Sequence, residues 1–360
     1  MSSQVNRRAF LGRGLATAGG LAIAATGGAS ALSLLEKGSA YAAAPSAAKD
    51  LGTLDFQLSW IKNVEFGGEY IADTKGYYKD VGFSGVNLIA GGPNVAQDAV
   101  VAAGKAMVGI SSPDITGAAI AQGAPLVIIG AQYQKNPFAI MSLATRPIKT
   151  PKQMIGKKIG VQATNEPVWT AFLKANKIDP SKIDKVTVQF DPTPLTTGDV
   201  DGWFSFITNE PNLLKVAGHD TYSFLLNDFN YPLVSEVYVV RKDTLSGERD
   251  KLKSLMVAEI KGWHGVIQDP ALAANLTVTK YGKDQGLDEA EQTLEAKAEG
   301  TLILTPDTKA NGLFTITPAS QAASLRTLKL GGLKLTKKIF DMSLLKEVYA
   351  ANPNLKKSPV

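Results

Sequence analysis

Residues 54–78 read LDFQLSWIKNVEFGGEYIADTKGYY. Leu54, Phe56, Leu58 and Trp60 alternate with Asp55, Gln57 and Ser59, the period of a strand with one buried face. The loop that follows, 62–68, carries Asn63, Glu65 and Phe66. A helix is expected from Glu69 to Lys75, with Gly76 at its end. A strand, a loop bearing an aromatic ring and a carboxylate, and a helix form the repeating unit of an open α/β sheet. In such sheets ligands sit beyond the carboxyl ends of strands. The rest of the chain repeats this unit, so its loops are read as walls of one binding cleft.

Downstream, strands are expected at 86–90, 106–110, 126–129 and 138–144. The turn Gly91-Gly92-Pro93-Asn94 lacks the Lys and Ser/Thr of a P-loop and the spacing of a dinucleotide fingerprint. A tight strand-to-helix turn accounts for it. Ser112 with Pro113 reads as a helix cap, and the helix runs to about Gln122. Residues 145–156 change character and are read as the crossing into a second domain. That domain has strands at 159–161, 186–190, 200–206 and 219–226, and a helix after Thr208-Asn209-Glu210-Pro211. Residues 235–241, SEVYVVR, read as the strand that returns to the first domain. Helices follow at about 246–268, 269–282 and 288–299, after Pro318, and at 336–351.

With 360 residues the chain is long enough for two domains with their own cores. It has no Cys, which removes disulfides, thiolate metal sites, a Cys nucleophile and attachment of lipid through an N-terminal Cys. With His219 and His264 as its two histidines, it does not carry a His-rich metal site. Residues 1–42 hold Arg7, Arg8, Arg13 and Lys37 against Glu36; the remainder has 34 basic and 32 acidic residues. The overall charge of +5 is therefore no argument for nucleic-acid or membrane-surface binding. Asn6-Arg7-Arg8-Ala9-Phe10-Leu11 resembles a twin-arginine export motif, followed by a Gly/Ala-rich, mildly apolar run. Ala40-Tyr41-Ala42 offers the small residues a signal peptidase reads, so cleavage is expected after Ala42, giving a periplasmic or extracytoplasmic protein that is not a lipoprotein.

A chain that leaves one α/β domain, builds a second and returns is expected to form a two-lobed clamp. The expected lobes are residues 43–145 with 238–360, and 146–237. At this level the sequence resembles the substrate-binding proteins of bacterial ABC importers, and within them the group that binds thiamine pyrimidine precursors, related to the sulfonate, nitrate and riboflavin binders. The segments SWIKNVEFGGEYIADTKGYY, AGGPNVAQDAVVAAGKAMVGI, TPKQMIGKKIGV and VDGWFSFITNEP carry the resemblance, which covers about residues 54–240. It implies an α/β, type II periplasmic-binding-protein fold with two crossover hinge strands and a ligand cleft between the lobes. It also implies a monomer that delivers a small heteroaromatic solute to an ABC permease, without cofactor and without catalysis. A pyrimidine synthase in the wider family depends on a Cys-rich motif and a consumed His; this chain has no Cys, and neither His lies in the opening loops. A sulfonate- or nitrate-type binder, and a sensor that presents its solute to a receptor, are the other readings.

The candidate ligand residues are Trp60, Asn63, Glu65, Phe66, Ser112, Asp114, Tyr133, Asn165, Glu166, Trp169, Trp203, Asn209, Glu210 and Tyr231. Asn209-Glu210-Pro211 resembles a motif of the pyrimidine-precursor binders. A carboxylate at Glu210 can accept paired hydrogen bonds from a protonated aminopyrimidine edge. It is equally a helix N-terminal acid favoured by the macrodipole by about 0.3–1 kcal/mol. Each aromatic candidate has core packing as its alternative role, and Glu65 has a surface pair with Lys62. Sulfonate and nitrate call for cations or free helix N-termini. The proposed walls instead carry Glu65, Asp114, Glu166 and Glu210, with Lys62 and Lys135 nearby. A neutral or amine-bearing aromatic heterocycle fits them better, a thiamine pyrimidine precursor first and a flavin next.

Overall fold

A computed structural model describes residues 50–92, 95–189 and 191–359. The expected export signal, residues 1–42, and Pro93, Asn94 and Phe190 lie outside the described residues. No helix among the described residues is long and apolar enough to cross a membrane.

Among the described residues, ten strands form two five-stranded sheets. They are β1 Thr53–Gln57, β2 Gly85–Ile89, β3 Val108–Ser111, β4 Leu126–Tyr133, β5 Phe138–Leu143, β6 Lys158–Gln162, β7 Asp184–Val188, β8 Gly202–Phe206, β9 Thr221–Leu225 and β10 Ser235–Arg241. The first sheet has the order β2-β1-β3-β10-β4 and the second β7-β6-β8-β5-β9. In the first, β1 runs parallel to β2 and β3, while β10 runs antiparallel to β3 and β4. The second repeats the plan, with β6 parallel to β7 and β8 and β5 antiparallel to β8 and β9. Strand β4 is buried along its whole length, as expected of a strand covered on both faces. It runs on through Gly130–Tyr133, four residues beyond the strand expected at 126–129.

The fifth strand corrects the sequence reading. The strand expected at 138–144 falls in the first domain by the sequence reading, with the crossing at 145–156, but β5 pairs with β8 and β9 of the second sheet. The chain therefore passes between sheets at residues 134–137 and returns at 226–234. The alternation of apolar residues identifies a strand and not the sheet that receives it. Asn136 holds the two passages side by side. Its backbone N–H donates to Leu233 O at 2.7 Å and its Nδ2 to Tyr231 O at 3.0 Å.

Helix Gly67–Thr74 packs against the long helix Arg249–Gln268. A Cβ at Gly68 would collide with the Trp263 indole, and one at Gly262 with the Gly68 carbonyl, so the contact depends on both glycines. Gly91 is equally constrained: its Cβ would stand 2.5 Å from Leu58 O. That close approach explains the Gly-Gly turn without a phosphate. The helix expected over 246–268 is two, Lys242–Gly247 and Arg249–Gln268. Helix Glu289–Ile303 touches the turn after β1, strand β4 and helix Glu210–Val216, and so contacts elements of both lobes. Helix Pro318–Leu330 also does so, packing on Pro113–Ala121 and Glu166–Ala175. A hydrophobic core containing Ile128, Val237, Ile140, Phe204 and Leu328 runs between the two sheets.

Candidate functional site

At its carboxyl end β1 leads through Ser59 into a single 3-10 turn, Val64–Phe66. Val64 N–H donates to Gln292 Oε1 at 2.7 Å, and Gln132 Nε2 donates to Glu65 O at 3.1 Å. These bonds hold Glu65 in the interior, 8% exposed, between β4 and helix Glu289–Ile303. Its carboxyl faces that of Glu236, whose Oε2 accepts a 2.9 Å hydrogen bond from Ser59 Oγ. Glu236, the second residue of β10, has φ +45°, a left-handed conformation that is costly for a residue with a Cβ, roughly 1–3 kcal/mol. The strained backbone turns a carboxylate in the middle of a buried strand pair toward Glu65.

Helix Glu289–Ile303 adds Glu291, Glu295 and Glu299, spaced four residues apart on one buried face. Gln292 Nε2 donates to Glu291 Oε2 at 2.6 Å and to Glu295 Oε2 at 2.8 Å, and Asn63 Nδ2 reaches Glu295 Oε1 at 3.5 Å. From the second sheet, Glu210 accepts from Phe206 N–H at 2.8 Å and feels the charge of Glu291. Behind the turn lie Glu69 and Glu259; Glu259 accepts from Tyr78 and, at 2.8 Å, from Tyr238.

Burial dominates the electrostatics of all eight glutamates, because the charged form loses its hydration. The Glu65, Glu210, Glu259 and Glu291 carboxyls are raised to about 7. For Glu259 its two tyrosine donors oppose the shift. The Glu69, Glu236, Glu295 and Glu299 carboxyls are pushed well above the usual range, with neighbouring glutamates adding repulsion after burial. Among the described residues none of the eight is in an ion pair. Nor do the described residues contain a group of three or more His, Asp or Glu that could hold a metal ion. Several acceptors here have no direct donor: both oxygens of Glu299, Glu291 Oε1, Asn63 Oδ1 and Gln132 Oε1. Two surface depressions, of about 530 Å3 beside Lys242 and Lys337 and about 430 Å3 beside Glu166 and Trp169, share no residue with this cluster.

The NMT1/THI5 like family model matches residues 63–273, more than half of the chain and including the turn with Glu65, the Glu210 helix and Glu236. The chain belongs to the NMT1/THI5-like family. It is 24% identical over 237 residues to the formylaminopyrimidine-binding protein of Halalkalibacterium halodurans, covering 64% of this chain and 71% of that protein. It is 25% identical over 243 residues to the riboflavin-binding protein RibY of Chloroflexus aurantiacus, covering 66% and 69%. Among solved structures, the periplasmic aliphatic sulphonate binding protein SsuA of Escherichia coli superposes with a TM-score of 0.61 at 13% identity, over 81% of this chain and 91% of that one. The fold is thus the two-lobed periplasmic-binding-protein fold expected from the sequence.

In this NMT1/THI5-like protein the sequence-nominated residues separate into groups. Asn63, Glu65, Tyr133, Asn209 and Glu210 stand at the acidic cluster. Tyr133 sits beside Glu299 and its Oη has no direct partner, while Asn209 caps the Glu210 helix and faces Glu295. Glu65 is not a surface partner of Lys62; it is buried. Ser112 caps its helix by geometry, but its hydroxyl turns to Asp114, and both are half-buried. Asp114 adds to the repulsion at Glu236. Trp60 is half-buried against the first core.

Other nominated residues are placed elsewhere. Phe66 is fully buried in the first core. Trp169 and Tyr231 are buried in the core between the sheets, edge-on to Phe204 and Phe172 respectively. Trp203 is fully enclosed with Met141, Leu195, Val200 and Leu214, though its indole reaches Glu210. These rings pack in cores, where each buries a large apolar area and Trp169 and Tyr231 meet their neighbours edge-on. Glu166 forms an exposed ion pair with Lys185, and Asn165 donates to Gln162 Oε1 at 2.9 Å.

Sequence reasoning missed Glu236, Glu291, Glu295 and Glu299. One signal was available: three glutamates spaced by four on a helix whose same face carries Ala296, Leu302 and Ile303. Like charges at that spacing oppose helix formation by a few tenths of a kcal/mol per pair unless something compensates them, at about 0.2–0.5 kcal/mol.

Proposed function

We propose that this protein is the extracytoplasmic solute-binding component of an ABC importer, and that its solute is an amine-bearing aromatic heterocycle of the thiamine-pyrimidine-precursor class. The observation that carries the reading is the buried, cation-free set Glu65, Glu236, Glu295 and Glu210, drawn from both lobes. Amino and ring N–H groups donate to carboxylates in pairs, each charge-assisted hydrogen bond contributing about 1.5–3 kcal/mol. An anion such as nitrate or a sulfonate would meet carboxylates where it needs donors. The enclosure of Phe66, Trp169, Trp203 and Tyr231 in cores removes most of the stacking platforms a flavin would use, leaving Trp60 and Tyr133, which favours the smaller pyrimidine ring.

Because the acids come from both lobes, the solute enters while the lobes are apart and is clasped as they close. The twin-arginine segment and the family's formylaminopyrimidine-binding relative support export and solute capture. In this reading residues 1–42 are removed, the protein acts as a monomer, and a permease receives the solute. The test is a thermal-shift screen of the exported protein, stripped of bound solute, against aminopyrimidines, thiamine, riboflavin, taurine, alkyl sulfonates and nitrate. At about 100 times the dissociation constant a ligand stabilises by about 2.7 kcal/mol. A shift with aminopyrimidines is expected; a shift confined to sulfonate or nitrate refutes the reading.

A further inference from the structure

The acceptors at the cluster outnumber their donors. Asn63 Oδ1 and Gln132 Oε1 belong to side chains more than nine-tenths buried, and both are without a direct donor, as are Glu291 Oε1 and both oxygens of Glu299. A buried acceptor left without a donor costs about 1–3 kcal/mol. Tyr133 Oη, beside Glu299, can serve one of its oxygens. For the remaining acceptors the missing hydrogens come from protons on the carboxyl groups or from N–H groups of a solute. Both cannot occupy the same oxygens. From this geometry we infer that the site is a proton-exchanging cation site, in which an N–H-rich organic cation replaces protons held on the glutamates and releases them to solvent.

This inference rests on the solute reading above and adds the charge state and the exchange. In the step, a carboxylic O–H bond breaks, its proton passes to buffer, and the carboxylate accepts an N–H of the bound ammonium or pyrimidinium. No bond in the solute changes. Titratable neighbours face the site from every side. The turn after β1 brings Glu65, and helix Gly67–Thr74 brings Glu69 and Tyr70. Strand β4 brings Tyr133, β10 Glu236, and helix Pro113–Ala121 Asp114. Glu259 faces it from Arg249–Gln268 with Tyr78 and Tyr238 behind, Glu210 from the second lobe, and Glu291, Glu295, Glu299 and Asp288 from the last wall. None of these groups is cationic. Burial holds several of the carboxyls protonated near neutral pH, and a cation reverses that preference.

The test is titration calorimetry of the whole exported protein with 4-amino-5-aminomethyl-2-methylpyrimidine, its N-formyl counterpart and putrescine, each in phosphate and in Tris. The expected result is an apparent heat that differs between the two buffers by the difference between their ionisation enthalpies, corresponding to about one proton per solute. Affinity for the amine should rise about tenfold per pH unit from 5.5 to 6.5, the linkage slope of one released proton. The Glu236→Gln variant, checked for fold by circular dichroism, should reduce the proton release. Buffer-independent heats with a bound pyrimidine would overturn the exchange and leave the solute reading standing. Putrescine binding with proton release, and no pyrimidine binding, would uphold the exchange and overturn the pyrimidine. Binding of none of the three would overturn both.

Discussion

Ser59 Oγ donates to Glu236 Oε2 at 2.9 Å, joining the end of β1 to the start of β10 across 177 residues of sequence. The bond fixes one oxygen of a strained, buried glutamate and leaves its carboxyl facing Glu65. It makes Glu236 a fixed part of the first lobe's wall. The Glu236→Gln variant should keep the fold, because the amide oxygen still accepts from Ser59, and should weaken solute binding by at least tenfold in calorimetry. Unchanged affinity would take Glu236 out of the site.

Glu210→Gln should likewise weaken binding by more than tenfold with its helix intact. The Gln oxygen can still accept from Phe206 N–H, so the loss would report the charge and not that bond. A variant that binds normally would assign Glu210 to holding the turn between β8 and its helix.

The pH dependence of stability follows from the same burial. Glu65, Glu210, Glu259 and Glu291 rise from 4.5 to about 7 on folding. The folded chain therefore binds more protons than the unfolded chain between about pH 4.5 and 7, and stability falls as pH rises through that window. His264, lowered by burial, acts in the opposite sense near its own range but is one group against several. The solute-free protein should melt at a higher temperature at pH 5 than at pH 8. A melting temperature that climbs steadily from pH 5 to 8 would contradict the buried-acid description.

Asn136 binds the two passages between the lobes through Tyr231 O, and Asn136→Ala removes that donor while leaving its backbone bond to Leu233. A loss of about 1–3 kcal/mol in urea unfolding is expected from the buried carbonyl left unpaired. A change below 0.5 kcal/mol would mean that another group satisfies the carbonyl.

Trp169 separates core from ligand platform. It is 3% exposed and packs edge-on to Phe204 at 6.5 Å. Trp169→Ala should cost about 3–5 kcal/mol of stability. The milder Trp169→Phe should bind solute with wild-type affinity; a tenfold loss there would return the ring to the site.

Strand period, caps and turn chemistry are local properties, and they were legible. The return strand reads as 235–241 and occupies those residues, Ser112 reads as a cap, Thr208 or Asn209 reads as the cap of the next helix, and Asp269-Pro270 reads as a helix start. The chain alone also carried the acidity of the opening loop and the order of motifs that place it in its family. Partnership between distant segments was beyond that reading. Only the folded chain put β5 in the second sheet, enclosed the aromatic candidates in cores, and brought Glu236 and the Glu291-Glu295-Glu299 face to Glu65 and Glu210. Periodicity states which face of an element is apolar. Which element meets that face, and whether a carboxylate on it is left in water, depends on contacts across hundreds of residues that no local pattern encodes.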